Sequence, residues 1–170
     1  FEAHSSHKMA MAVASEYVHT ASLLHDDVID NSSLRRNKPT ANKIWGDESS
    51  VLVGDLIYAR ASELMADTGQ LEIVKTFAKT IRKMSEGELI QLQHIFDLQQ
   101  KKSTYFAIIE AKTGALISAS FKTAALLSQQ EPKICKILET IGHFLGVAFQ
   151  IIDDTLDYIA PPELFGKKNH

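Results

Sequence analysis

The chain has 170 residues, 45% apolar and 23% charged, with a formal net charge of −3. That length suits one domain around one sizeable core, and 8 glycines and 4 prolines are too few for a disordered or fibrous chain. The slightly acidic balance excludes the basic field that nucleic-acid binding depends on, and no run of Lys and Arg is long enough to grip a membrane.

Cys135 is the single cysteine, which excludes an internal disulfide and a cysteine-rich zinc site and makes a reducing, cytoplasmic setting the expectation. No transmembrane segment is predicted: the best candidate, residues 144–152, falls short of the roughly 20 uninterrupted apolar residues that a spanning helix needs. Residues 1–10 carry neither an initiator methionine nor the charged, apolar, small-residue order of a signal peptide, so the start reads as a cut within a longer sequence.

In chain order, hydrophobic periodicity predicts helices over residues 7–29, 49–65, 71–96, 104–128 and 134–155. The last is the clearest, with Ile134, Ile137, Leu138, Ile141, Leu145, Ala148 and Ile152 at three- and four-residue steps. Between helices lie a polar loop at 31–40 with two arginines and Pro39, a turn at 67–70 with Gly69, and a break at 129–132 ending in Pro132. No region sustains the alternation of a strand, so the fold class expected is all-α, a single helical domain over residues 1–170.

Two segments echo one another: Leu24-His25-Asp26-Asp27-Val28-Ile29-Asp30 and Ile152-Asp153-Asp154-Thr155-Leu156-Asp157. On a helix turning about 100° per residue, the first and third acids of each cluster lie about 40° apart and share a face, while the middle acid lies to one side. Like charges crowded near a helix C-terminus are unfavourable in themselves, so a cation should compensate them. A lone acidic cluster is most often a solvated face; two clusters flanked by Leu23, Leu24, Val28, Ile29, Ile151, Ile152 and Leu156 point inward instead. Mg²⁺ suits such a site because it takes one or two carboxylates and fills its octahedron with water and phosphate oxygens.

With Arg35-Arg36 after the first cluster and Phe149-Gln150 before the second, these segments resemble the two aspartate-rich motifs of trans-isoprenyl diphosphate synthases. Gly54-Asp55, Gly87-Glu88-Leu89-Ile90-Gln91 and Lys112-Thr113 stand between them in that family's order. The resemblance is strongest to long-chain, octaprenyl-type synthases. It implies an isoprenoid synthase helical bundle around a central cleft, in which three Mg²⁺ bridge an allylic diphosphate. The diphosphate ionises, isopentenyl diphosphate attacks the cation, and loss of a proton leaves a chain five carbons longer.

The resemblance carries roles to named residues. It makes Asp26, Asp30 and Asp153 direct metal ligands, with Asp27, Asp154 and Asp157 supporting. Arg35 and Lys112 would contact the allylic diphosphate, and His19 and Arg36 isopentenyl diphosphate. Gln150 would face the pocket, Thr113 would turn its backbone carbonyl to the cation, Glu88 and Gln91 would line the pocket, and Lys167 would reach back to the diphosphate. Lys112 sits among Ile108, Ile109, Ala115 and Leu116, where an ammonium needs a diphosphate or carboxylate partner. Ala21 and Ser22, both small, stand where short-chain synthases place aromatic floors, which implies a long product. The family also implies a homodimer and peripheral delivery of the product to a membrane.

Two departures temper the expectation. The family's N-terminal Gly-Lys-x-x-Arg segment is absent, and the sequence stops soon after Gly166-Lys167, which reads either as a piece of a longer polyprenyl synthase domain lacking both terminal segments or as a shortened relative that cannot catalyse alone. Gly114 also follows Thr113 where alanine is usual. The competing readings are a non-catalytic subunit of a prenyl synthase, which the intact Asp, Arg and Lys set argues against, and a class I terpene cyclase, which the second Asp-Asp-x-x-Asp argues against.

Overall fold

The computed structural model describes residues 5–159, which hold seven α-helices: α1 (Ser5–Ile29), α2 (Ala41–Trp45), α3 (Asp47–Ala66), α4 (Leu71–Gln93), α5 (Lys102–Ile109), α6 (Ala115–Leu127) and α7 (Pro132–Ile159). The all-α class predicted from periodicity is the one observed. The core forms where the apolar stripes of α1, α3 and α4 meet: Met11, Ala14 and Val18 from α1, Ala61 and Met65 from α3, and Ile73, Phe77 and Met84 from α4, closed by Leu127 of α6. The three- and four-residue spacing of these positions is what turns one face of each helix inward.

Small residues set the closest approaches. A methyl at Gly54 of α3 would stand 2.3 Å from His25 Nε2, so α1 and α3 meet with an imidazole laid over bare backbone. On α7, a methyl at Gly142 would lie 2.9 Å from the Ile117 carbonyl oxygen. Another at Gly146 would lie 2.8 Å from Gly114 Cα. Without side chains at these two positions, α7 can lie directly against α6 and the turn that precedes it.

Three elements differ from the sequence expectation, the first being the one-turn helix α2, which periodicity does not predict. The predicted loop at 31–40 contains a two-stranded antiparallel hairpin, β1 (Leu34–Arg35) with β2 (Lys38–Pro39), whose two turn residues Arg36 and Asn37 both take positive φ, 51° and 62°. That is the mirror-image turn that matches strand twist; strands of two residues are too short to show as alternation. The predicted helix over 104–128 begins at Lys102 and is interrupted at Glu110–Gly114 by one π-helical turn. Such turns insert a residue into the ladder and re-aim the side chains beside it.

The predicted breaks at both ends are real. Asn31, at φ 50°, closes α1 with Asn31 N–H donating to the Val28 carbonyl and Ser32 N–H to that of Asp27, at 3.1 and 2.9 Å. Gln129, at φ 52°, closes α6 in the same way.

The α7 helix is long and apolar enough, by length and composition, to cross a membrane. Its longest uninterrupted apolar run is short, but its mean hydropathy over 18 residues reaches 1.3. Here it lies against α6 through Gly142 and Gly146 and leaves Ile141, Phe144, Leu145, Phe149 and Ile152 exposed.

Candidate active site

The first aspartate cluster closes α1 and faces a cleft of about 290 Å³ between α1, α3, α4 and the π turn. Its polar lining comes from Ser22, His25, Asp26, Tyr58, Glu88 and Lys112, and its apolar lining from Ile29, Met84, Leu89 and Leu92. The three aspartates are not equivalent. Asp27 is buried, 4% exposed, and both its oxygens accept from the Arg35 guanidinium at 2.9–3.2 Å. Its backbone carbonyl also accepts from Asn42 Nδ2 at 3.2 Å. The hairpin therefore carries Arg35 back onto α1, where it satisfies the middle acid.

Asp26 stands on the cleft side. Burial pushes its carboxyl up from 3.8 to about 6; the Lys112 ammonium opposes the rise, and Glu88 and then Asp30 add to it. Asp30 is also raised, first by burial and then by Glu88. Asp26 and Glu88 thus share the cleft wall with the Lys112 ammonium, while Asp30 stands exposed at the end of α1 and feels Glu88 at longer range.

Lys112 comes from the π turn and reaches α4, donating to Gln91 Oε1 at 3.0 Å and pairing with the Glu88 carboxylate. The Glu88 oxygens are buried, and the Lys112 ammonium is the charge that faces them. The partner that an ammonium among Ile108, Ile109 and Ala115 demands is Glu88. Gly87 makes the approach possible, since a methyl there would stand 2.7 Å from Ala111 Cβ and 3.2 Å from Lys112 Cγ.

The second cluster lies on α7 beside a neighbouring cleft of about 370 Å³, lined by Gln91, His94, Tyr105, Lys112, Thr113, Gln150 and Asp154. Lys112 belongs to the walls of both clefts. Here too the middle acid is taken: Tyr105 donates its hydroxyl to Asp154 Oδ2 at 2.6 Å, and Gln150 Nε2 donates to Oδ1 at 2.8 Å. Thr113 in turn donates to Gln150 Oε1 at 2.6 Å. Asp153 and Asp157 are exposed and make no hydrogen bond or ion pair among the described residues.

The remaining predicted residues are dispersed. His19 is exposed on α1, its carbonyl accepting from Ser22 Oγ at 2.8 Å. Arg36 is exposed at the hairpin turn. Ala21 is fully buried, whereas Ser22 faces the first cleft. Lys167 lies outside the described residues. Among the described residues no three acidic, histidine or cysteine side chains converge as a ready-made metal cage.

Sequence reasoning did not single out Tyr105, Tyr58 or the ring of His25. Tyr105 stands seven positions before Lys112, two turns away, but the π turn between them hides that relation from periodicity. His25 Nε2 lies 3.3 Å from Asp55 Oδ1 and 3.2 Å from the Val51 carbonyl. Tyr58 has its hydroxyl pushed up to about 12 by burial and by Asp26 and Asp55.

The Polyprenyl synthetase family model matches residues 2–170. Octaprenyl diphosphate synthase of Escherichia coli (strain K12) is 41% identical over 159 residues, 94% of this chain and 49% of that protein. Solanesyl diphosphate synthase 1 (chloroplastic) of Arabidopsis thaliana is 40% identical over 152 residues, 89% and 37% of the two chains. The polyprenyl synthase from Caulobacter crescentus CB15, solved with calcium and isoprenyl diphosphate, superposes with a TM-score of 0.93 at 42% identity, covering 98% of this chain and 51% of that one. A decaprenyl diphosphate synthase from Rhodobacter capsulatus superposes with a TM-score of 0.87 at 38% identity, over 95% and 49%. The chain spans about half the length of the bacterial relatives it matches, and it belongs to the polyprenyl synthetase family.

Proposed function

We propose that the protein condenses an allylic diphosphate with isopentenyl diphosphate, head to tail, to build a long polyprenyl diphosphate. The observation that carries the reading is Lys112, an ammonium set into the walls of two clefts, one bordered by Asp26 and the other by Asp154. A diphosphate lying across that divide would meet one fixed cation and two acidic helices able to recruit more.

The donor set fits Mg²⁺. Oxygen ligands, a surplus of carboxylates over ammonium near Asp26, and Asp153 and Asp157 exposed without partners among the described residues are what a hard cation sharing its sphere with phosphates requires. Asp26 and Asp30 would hold it from α1, and Asp153 and Asp157 from α7, with three ions expected once a diphosphate is bound. When bound, Mg²⁺ neutralises the diphosphate so that it can depart. The chain's own residues do the rest. Lys112 binds a diphosphate oxygen, Gln91 and Glu88 hold Lys112 in place, and Ile29, Met84, Leu89 and Leu92 keep water from the allylic cation. Loss of the allylic C–O bond, attack by the isopentenyl double bond and release of one proton complete the addition.

Product length follows the same cleft. Ser22 lies on α1 one turn before Asp26 and faces the cleft beside Met84, so the growing chain meets a hydroxyl where an aromatic ring would stop it. Ser22→Phe should shift the product towards the C15 to C20 range and leave the first condensation intact. We also place the enzyme in the cytoplasm as a homodimer that hands its product to a membrane, a reading that rests on family membership.

The deciding experiment incubates the full-length protein with labelled isopentenyl diphosphate, an allylic diphosphate and Mg²⁺, and resolves the dephosphorylated products by chromatography. A ladder of long polyprenols is expected. Consumption of neither substrate would favour a non-catalytic subunit, and consumption of the allylic diphosphate alone would favour a cyclase.

A further inference from the structure

Tyr105 ties the C-terminal part of the second acidic helix to α5, and no motif contains it. The C-terminal part of α7 runs past the glycine contacts that seat the helix on α6, and its residues from Ile151 onward are largely exposed. Across that stretch, Asp154 makes two side-chain hydrogen bonds. One comes from Gln150 on its own helix. The other comes from Tyr105 on α5, at 2.6 Å and across 49 positions of sequence.

The polarity of the network leaves no alternative assignment. Thr113 donates to Gln150 Oε1, which turns Nε2 towards Asp154 as a donor, and a tyrosine hydroxyl is the donor on the other side. Asp154 is thereby an acceptor on both oxygens, held by uncharged donors. Held on both oxygens, Asp154 ties down the rotation of the helix turn that bears Asp153 and Asp157.

We infer that Tyr105 is a positioning residue for the metal-diphosphate site, holding α7 through Asp154 so that Asp153 and Asp157 face the bound ligand. The inference rests on the proposed prenyl-transfer site and adds a residue to it. Donors that orient ligand-bearing carboxylates are known to change metal affinity by one to two orders of magnitude when removed. Removing only the hydroxyl should therefore act on Mg²⁺ and spare the pocket for isopentenyl diphosphate.

The test compares the full-length wild-type protein with Tyr105→Phe. The Mg²⁺ concentration that gives half of the thermal stabilisation produced by a saturating bisphosphonate should rise about tenfold. In the condensation assay the apparent Mg²⁺ constant should rise by a similar factor while the KM for isopentenyl diphosphate at saturating Mg²⁺ stays within about twofold. A purely structural tyrosine would lower the melting temperature of the metal-free protein and leave the Mg²⁺ midpoint where it was; that result overturns the inference. If Tyr105→Phe does not fold, Gln150→Leu removes the hydrogen bond to the other oxygen and must shift the Mg²⁺ midpoint in the same direction, or the inference fails. A wild-type protein with no Mg²⁺-dependent response at all would remove the proposed function, and this inference with it.

Discussion

The ends of α1 and of α7 carry the same spacing of three aspartates, and the structure treats them alike in one respect and differently in another. In both, the middle acid is taken by the protein itself, while the first and third carry no such pairing. The donors differ: Asp27 is held by the Arg35 guanidinium from a hairpin eight positions on, and Asp154 by the uncharged hydroxyl and amide of Tyr105 and Gln150. The surroundings differ too. Asp26 is half-buried beside Glu88 and Lys112, with only Asp30 exposed at the helix end, whereas both Asp153 and Asp157 are exposed. One half of the site is a preformed, charge-frustrated wall, and the other is an open set of ligands on a pinned helix. The spacing therefore encodes two free acids and one anchor, and the anchor's partner decides how rigid each half is.

The sharpest way to break that division is at the free acids. Asp26→Ala or Asp153→Ala in the full-length enzyme should lower turnover by about a thousandfold or more, because each removes stabilisation of the departing diphosphate, while the fold survives. Asp27→Asn and Asp154→Asn should cost far less turnover, since neither is free to reach a cation. Steady-state rates at saturating Mg²⁺ test this, and equal losses at all four positions would abolish the distinction between free acid and anchor.

The anchors can be broken one at a time. Arg35→Met strands Asp27 with its side chain 5% exposed, and an unpaired buried carboxylate costs several kcal/mol; because the Arg35 side chain is itself 41% exposed, we expect about 2 to 3 kcal/mol. Urea unfolding measures it. The double variant Arg35→Met, Asp27→Leu should recover most of the loss, since an apolar pair needs no partner. Failure to recover would mean that Arg35 contributes through the hairpin and not through the ion pair.

How much of this could be read in advance depends on the range of the interactions. The five long helices, the shared face of Asp26 and Asp30, and the demand of Lys112 for a partner are local consequences of a 3.6-residue repeat, and they stand in the sequence. The hairpin does not, because its strands are two residues long and its turn needs Arg36 at positive φ, which no composition announces. Nor does the π turn at Glu110–Gly114: its position is matched to Gly146 lying against Gly114 from another helix. The anchors were the least legible feature. Projection angles put Asp27 and Asp154 to one side, but Arg35 comes from β1 and Tyr105 from α5, at separations that no periodicity links; only Gln150, one turn back on α7, is local.

The smallest effect expected is also the one that tests the contrast most directly, because it predicts opposite signs for the same chemical change. Burial raises the Asp26 carboxyl from 3.8 to about 6, so the folded protein holds this proton more tightly than the unfolded chain does. Ionised Asp26 therefore costs stability, fully above about pH 6, and the cost fades as the pH falls through 6 towards 4. Asp26→Asn, an amide of the same shape, should stabilise the metal-free protein at pH 7.5. The full shift corresponds to about 3 kcal/mol, and with part of the side chain open to solvent we expect about 1 to 2 kcal/mol. The gain should disappear below about pH 4, where the wild-type acid is neutral in both states. Asp154→Asn should do the reverse: it replaces a charged acceptor of two hydrogen bonds by an amide that can accept on one side only, and should destabilise by about 1 kcal/mol. Urea titrations in chelator at pH 7.5 and at pH 4 decide both. Stabilisation by Asp154→Asn would show that its two donors do not offset the cost of holding the charge, and destabilisation by Asp26→Asn would show that Lys112 outweighs burial at the first cluster.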